Sequence, residues 1–282
     1  MALTVPISGS RVPSPVRWAG GKRWLLPTIR ALVQGREISV YHEPFLGGAS
    51  IFLGLEGIEK AFLGDTNAEL IAAYRAIRDH PAQIADRLSR YRNDADTYYA
   101  VRACAPTDKV EIAARFLYLN HTSFNGIYRV NLEGVYNVPF GSRPSPQIPT
   151  AERLWEVSRR LRTARLDVGD FARCLERVQE GHLVFLDPPY TVAHNNNGFI
   201  KYNQKIFSIE DQGRLSTLID EISSRGAYYI LANAAHPSIA KLFTRRGGFR
   251  MDTSRRNVIG GINATRGSAT EYLFTNLKPP RR

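Results

Sequence analysis

Leu183-Val-Phe-Leu-Asp-Pro-Pro-Tyr190 reads as a short apolar strand brought to a stop by two prolines. Proline has no N–H with which to continue a ladder, so the strand ends there and its last carbonyls point outward. Ligands of open α/β sheets sit beyond the carboxyl ends of the strands. The segment therefore sets an acceptor-only carboxylate (Asp187), a main-chain carbonyl (Pro188) and an aromatic face (Tyr190) side by side, with Pro189 stiffening the turn. An exocyclic aromatic amine calls for such a set. Its lone pair is delocalised into the ring, and the nitrogen becomes nucleophilic only when its two N–H groups are drawn out of plane. Asp187 and the Pro188 carbonyl can accept those hydrogens, and Tyr190 can stack on a base that has left its helix. A purely structural Asp-Pro-Pro turn is the competing reading.

Working outward, strand-like apolar runs recur at Ile38–His42, Ala61–Gly64, Tyr228–Leu231 and Tyr272–Phe274. Helical patterns lie between them. Leu70, Ile71, Tyr74 and Ile77 share one face, as do Ile84, Leu88 and Tyr91. Ser208 with Asp211 predicts a capped helix start, followed by the stripe Leu215, Leu218, Ile219, Ile222. Strands alternating with helices predict an α/β fold, a mainly parallel sheet covered on both faces. From Ile71 to Pro149 the alternation lapses into helical patterns, then a polar, aromatic and Gly/Pro-rich stretch from Asn120. The expected organisation is a catalytic domain from residues 1–70 and 150–282, with residues 71–149 a helical insertion bearing a protruding hairpin or loop.

Tyr41-His-Glu-Pro-Phe-Leu-Gly-Gly-Ala-Ser50 follows a predicted strand. Glycines at a strand-to-helix turn let a ligand approach the backbone closely, and an acidic residue about 20 positions on, here Asp65, is where a doubly wound sheet holds a ribose. A tight structural turn would use the same glycines. Gly20-Gly-Lys22 superficially suggests a phosphate loop, but that pattern needs glycine where Val16 stands and Ser or Thr where Arg23 stands, which argues against an NTPase.

The 282 residues carry a formal charge of +12, with arginines crowded from Arg143 to Arg165 and again around Arg255-Arg256. Such a surface attracts polyanions, because each phosphate contact releases counterions. Cys104 and Cys174 stand alone, with no Cys/His cluster, so no metal site and no disulfide framework is expected. No apolar run approaches the roughly 20 residues of a membrane span, and the N-terminus lacks signal-peptide character. A cytoplasmic location is expected, as is a monomer, with the first fourteen residues a disordered arm.

At these residues the chain resembles the DNA adenine methylase (Dam) family. The resemblance runs from Pro15 to Asn276 through Trp18-Ala-Gly-Gly-Lys22, Glu43-Pro-Phe-Leu-Gly-Gly-Ala-Ser50, Asp65-Thr-Asn67, Phe116-Leu-Tyr-Leu-Asn120, Phe124-Asn-Gly-Ile-Tyr-Arg129, Tyr136-Asn-Val-Pro-Phe-Gly141 and Asp187-Pro-Pro-Tyr190. It implies a Rossmann-like domain that uses S-adenosyl-L-methionine (SAM) to methylate N6 of a flipped adenine in double-stranded DNA. By position, Trp18, Ala19, Gly20, Gly21 and Lys22 are expected at SAM, as are Pro44, Phe45, Gly47 and Gly48 at its methionine end. Asp65 and Asn67 are expected at the ribose, Asp170 and Phe171 at the adenine of SAM, and Asp187 at both cofactor and target. Phe199 to Tyr202 resembles a loop that closes over the site. A cognate restriction endonuclease acting separately is an expected partner.

The insertion resembles the reader of DNA sequence. Asn120, Phe124, Asn125, Tyr128, Arg129, Asn131, Tyr136 and Asn137 are of the types that bond base edges or wedge between bases. Local core is the alternative for the aromatic members. Glu133 stands where GATC-specific members tend to carry arginine, which disfavours GATC as the target. Ala232-Asn-Ala-Ala-His236 is a second departure, from a Ser-Asn pattern. The basic segments Arg255-Arg256 and Asn263 to Arg266 resemble a C-terminal DNA-facing loop. An RNA adenine methyltransferase and a non-catalytic DNA-binding module remain as rivals.

Overall fold

The computed structural model describes residues 12–38, 40–190, 207–245, 247–256 and 268–280. Its strands are β1 (Tyr41–Glu43), β2 (Ala61–Asp65), β3 (Ala164–Val168), β4 (Leu183–Leu186), β5 (Tyr228–Ala234), β6 (Phe249–Arg256) and β7 (Ser268–Thr275). They form a seven-stranded sheet in the order β3-β2-β1-β4-β5-β7-β6. The first five run parallel, and β7 is antiparallel to both of its neighbours. From β1 the chain steps out to β2 and β3, then returns to the other side of β1 as β4. That reversal between β1 and β4 is the switch point at which such sheets open a crevice. It sets the turn after β1 beside Asp187 after β4.

Alternation along the strands builds two apolar layers. Leu183 and Phe185 of β4 face one way, with Leu63, Ile230 and Leu273. There they meet α1 (Leu26–Val33), α2 (Ala68–Asp79) and α6 (Ala151–Leu161). Val184 and Leu186 face the other way, onto α7 (Ile209–Ser224) and α8 (Pro237–Phe243). Period-two burial on both faces is what a covered parallel sheet requires. The expected start of α7 is present as a reciprocal capping box between Ser208 and Asp211.

The insertion contributes α3 (Pro81–Ser89), α4 (Ala95–Ala103) and α5 (Lys109–Thr122), with Asp94 and Asp108 capping the last two. Its core is continuous with that of the sheet: Tyr98, Phe116 and Leu117 share one cluster with Ile71 and Leu63. Helix α2 crosses the boundary expected at residue 70, and its Arg75 Nε donates to the Leu166 carbonyl of β3 at 3.1 Å. After α5 the chain doubles back in a narrow loop. Two isolated antiparallel bridges, Ser123 with Phe140 and Val130 with Tyr136, take the place of a continuous ladder. The Asn131 side chain accepts from the N–H groups of Glu133 (3.0 Å) and Val135 (2.8 Å), which closes the tip. Val12 and Val16 pack into the core, so the N-terminal arm does not extend to residue 14 as expected.

Candidate active site

Strand β4 delivers Asp187 to the switch point, where a buried lysine meets it. Lys22 is 3% exposed, and its Nζ lies 3.1 Å from Asp187 Oδ1. The same ammonium donates to the Gly20 carbonyl at 2.7 Å and sits 4.7 Å from the centroid of the Tyr190 ring. Tyr190 Oη donates to Glu271 Oε2 at 2.7 Å, and Lys22 Nζ is 3.7 Å from that oxygen. Sequence reasoning set Lys22 among the cofactor residues. The geometry ties it to the tetrapeptide's own carboxylate. Sequence reasoning missed Glu271 altogether. The sequence shows only an acid just before the apolar run Tyr272–Phe274, and its burial comes from the sheet.

The turn after β1 is held from several sides. Gly47 has φ +45°, and its N–H donates to Asp65 Oδ2 at 2.9 Å. Asn67 N–H donates to Asp65 Oδ1 at 2.9 Å, Tyr74 Oη donates to the Gly47 carbonyl at 3.1 Å, and the Asn67 side chain caps α2. Burial raises the Asp65 carboxyl above its ordinary range against the pull of these backbone donors. Glu43, at the end of β1, accepts from Tyr41 Oη at 2.8 Å and from Phe52 N–H at 3.1 Å. Burial pushes its carboxyl up to about 8, opposed by those two hydrogen bonds and reinforced by nearby Asp187.

Trp18 lies across Gly47 and stacks on Tyr128 of the insertion, centroids 5.6 Å apart. Ala19 and Gly21 are exposed beside it, with Gly20 half-buried at φ +82°. Pro44 is buried, and Phe45 stacks on Phe171 at 5.2 Å, with Phe207 packed against both. Asp170 caps the short 3₁₀ turn that begins at Phe171 and is paired with Arg214 Nη2 at 2.7 Å. The switch point thus gathers three groups of expected residues: the 18–22 segment, the Gly47-Gly48 turn with Asp65, and Asp187 with Tyr190. The Asp170–Phe171 pair adjoins them through Phe45.

The expected DNA-contacting residues divide. Phe124, Asn125, Arg129, Asn131, Glu133 and Asn137 are exposed on the loop, and Leu132 stands fully exposed at its tip. Arg129 Nε donates to Asn137 Oδ1 at 2.8 Å. Three others face inward. Tyr136 is 6% exposed and donates to the Ile127 carbonyl, and half-buried Tyr128 donates to Glu69 at 2.8 Å. Asn120 is 1% exposed: its Oδ1 accepts from Arg17 N–H at 2.7 Å, and its Nδ2 donates to the Arg17 carbonyl at 2.9 Å. It braces the strand of chain leading to Trp18. Asn233, in the unexplained Ala232–His236 stretch, is likewise internal, bonded to Gln212 at 3.1 Å, and His236 caps α8. The segments at Phe199 to Tyr202 and Asn263 to Arg266 lie outside the described residues, as do the side chains of Arg255 and Arg256. Among the described residues no His/Cys/Asp/Glu cluster is arranged to hold a metal ion, and no helix is long and apolar enough to cross a membrane.

A sheet in this strand order, with a glycine turn after β1 and Asp-Pro-Pro-Tyr after β4, is the frame of a Rossmann-like methyltransferase. The chain belongs to the D12 class N6 adenine-specific DNA methyltransferases, whose family model matches residues 18–255. It is 33% identical over 270 residues to a type II methyltransferase of Lactococcus lactis subsp. cremoris, covering 92% of this chain and 94% of the relative. It is 32% identical over 224 residues to the DNA adenine methylase of Escherichia coli (strain K12), covering 77% of this chain and 79% of that one. A DNA N-6-adenine-methyltransferase of Escherichia phage P1 is 34% identical over 91% of this chain but only 34% of its own length. The chain is thus an enzyme of SAM-dependent adenine methylation of DNA.

Proposed function

We propose that Asp187 to Tyr190 hold an adenine flipped out of duplex DNA, beside SAM held by the 18–22 segment and the Gly47-Gly48 turn. One observation carries the reading: the Asp187 carboxylate and the Tyr190 ring stand at the same switch point as the Asp65-braced glycine turn, joined to the 18–22 segment through Lys22. The residues suit the cofactor chemically. Gly47 lets the Trp18 indole pack directly against the turn, Asp65 offers a carboxylate suited to ribose hydroxyls, and Phe45 with Phe171 offers aromatic faces suited to a purine. SAM, when bound, supplies a methyl group activated by a sulfonium.

The chain's own part is to prepare the amine. Asp187 and the Pro188 carbonyl accept its two hydrogens and draw the nitrogen from planarity, which frees its lone pair for attack, and Asp187 is placed to take the proton that the methylated nitrogen releases. A carboxylate has about four lone-pair sites, so Asp187 can serve the amine while paired with Lys22. Tyr190 stacks on the extruded base and offsets part of the lost base stacking. Residues 71–149 act as the DNA reader, with Arg129 and Asn131 as base-edge contacts and Phe124 as the apolar wedge. The protein works as a cytoplasmic monomer, and any cognate endonuclease acts on the same DNA separately. Glu133, where GATC-specific members tend to carry arginine, disfavours GATC as its site.

The test uses purified protein, SAM, and unmethylated plasmid or RNA, with mass spectrometry of the digested nucleosides. N6-methyladenine in the plasmid, lost in Asp187→Ala while SAM binding persists, supports the assignment. Methylation retained in Asp187→Ala overturns the role of Asp187. A product found only in RNA overturns the substrate.

A further inference from the structure

Glu271 lies on β7, opposite Ala234 of β5 and Thr253 of β6, and is 3% exposed. Sheet pairing uses only its backbone, and Thr253 Oγ1 donates to its carbonyl at 2.9 Å. A carboxylate in so buried a strand position is costly unless charge and hydrogen bonds offset the loss of water. Here residues of the methyl-transfer site supply that offset. Tyr190 Oη donates to Oε2 at 2.7 Å, and Lys22 Nζ approaches the same oxygen to 3.7 Å.

We propose that Glu271 is a positioning residue for methyl transfer, tethering the far end of the Tyr190 ring and holding Lys22 between two carboxylates. The proposal rests on the reading of Asp187 to Tyr190 given above. A stacking ring must be fixed in plane as well as in place, and a bond at its hydroxyl end removes rotation that the backbone leaves open. With Asp187 as sole anionic partner, the Lys22 ammonium would settle on that carboxylate and compete with the target amine for its lone pairs. Glu271 gives the ammonium a second anionic neighbour, 3.7 Å away, so that its charge is shared between two carboxylates, and leaves the lysine–carboxylate set with surplus negative charge, which suits a cationic methyl donor.

The test measures single-turnover methylation of unmethylated duplex plasmid at saturating SAM, with SAM affinity by calorimetry and folding by thermal melting. The proteins are wild type, Glu271→Ala, Glu271→Gln, Tyr190→Phe and the Glu271→Ala/Tyr190→Phe double variant. Loss of positioning in Glu271→Ala slows transfer by about 10²-fold, the scale of an ångström's misplacement. SAM affinity changes far less than the rate. Glutamine keeps an acceptor for Tyr190 Oη and restores part of the rate. The double variant is no slower than Glu271→Ala, because the tether is already gone. A wild-type rate in Glu271→Ala, a loss that merely tracks melting or SAM affinity, or effects that multiply with Tyr190→Phe would overturn the proposal. If the alanine variant fails to fold, the isosteric Glu271→Gln decides: an unchanged rate and pH profile count against the role. Asp187→Ala runs alongside. A wild type without adenine methylation, or an active Asp187→Ala, defeats the underlying reading, whereas an inactive Asp187→Ala beside an unaffected Glu271→Ala defeats only the role of Glu271.

Discussion

Trp18 and Gly47 interlock: a Cβ built on Gly47 would lie 2.7 Å from Cδ1 of the indole. The same ring stacks on Tyr128, so one side chain bridges the glycine turn and the insertion.

Gly47→Ala meets both a steric block and a left-handed backbone, φ +45°. Strain of this kind costs about 1–3 kcal/mol. Urea unfolding should show that loss, and calorimetry should show weakened SAM binding as the indole is displaced. Gly134→Ala is the control. Its φ is +78°, but nothing lies within 4 Å of the added carbon, so it should strain the loop and leave SAM affinity unchanged.

Asn120→Ala removes both bonds to the Arg17 backbone. A buried polar group left unpaired costs about 1–3 kcal/mol. Because Arg17 precedes Trp18, the variant should lose stability and SAM affinity together. A variant that weakens DNA binding alone would restore Asn120 to the direct DNA contacts.

Glu43 gives the fold an alkaline sensitivity. Its folded-state value of about 8 lies above the ordinary 4.5, so the native state holds a proton that the unfolded chain has released. The stabilisation is complete below pH 4.5 and is lost as the pH rises through 8. His42 works on the opposite limb: burial, with His182 adjacent, lowers it from 6.5 to about 3, so its contribution is present above pH 6.5 and is lost on acidification. Between pH 6.5 and 8 the Glu43 slope is therefore clear of the His42 limb. Urea midpoints of Glu43→Gln should fall less than those of wild type across that interval, since glutamine can keep an acceptor for Tyr41 and Phe52. Equal slopes would refute the assignment.

Glu133 is exposed beside the tip of the loop. If that tip approaches phosphates, Glu133→Arg adds a counterion-releasing contact and steepens the plot of log affinity against log salt by about 0.9. Fluorescence anisotropy with duplex DNA across a salt series measures this. An unchanged slope would place the tip away from the DNA backbone.

The parallel centre of the sheet was legible because strands covered on both faces read as unbroken apolar runs, as in Leu183–Leu186. The edges were not. Strand β3 carries Arg165 and Asp167, and β6 carries Arg250 and Asp252, since an edge strand keeps polar groups towards water. Strand β1 was anticipated at Ile38–His42, but it begins at Tyr41, where pairing with Ala61 and Leu183 starts. In the site, Asp187 and the Gly47 turn announced themselves through local chain chemistry. Glu271 could not, because its meaning comes from partners 81 and 249 positions away in the chain, brought close only by the sheet. The burial of Asn120 was hidden for a related reason: a residue type suited to base edges is equally suited to closing a bare peptide group.

The strand order also sets a timetable. The ribosome makes β7 after the other six strands, yet β7 lies between β5 and β6 and carries the carboxylate that meets Lys22 and Tyr190. The parallel strands β1 to β5 all precede β7 in the chain, so the edge of β5 finds its partner only after they are made. Of the groups that meet at Asp187, the Glu271 carboxylate is therefore the last to be synthesised.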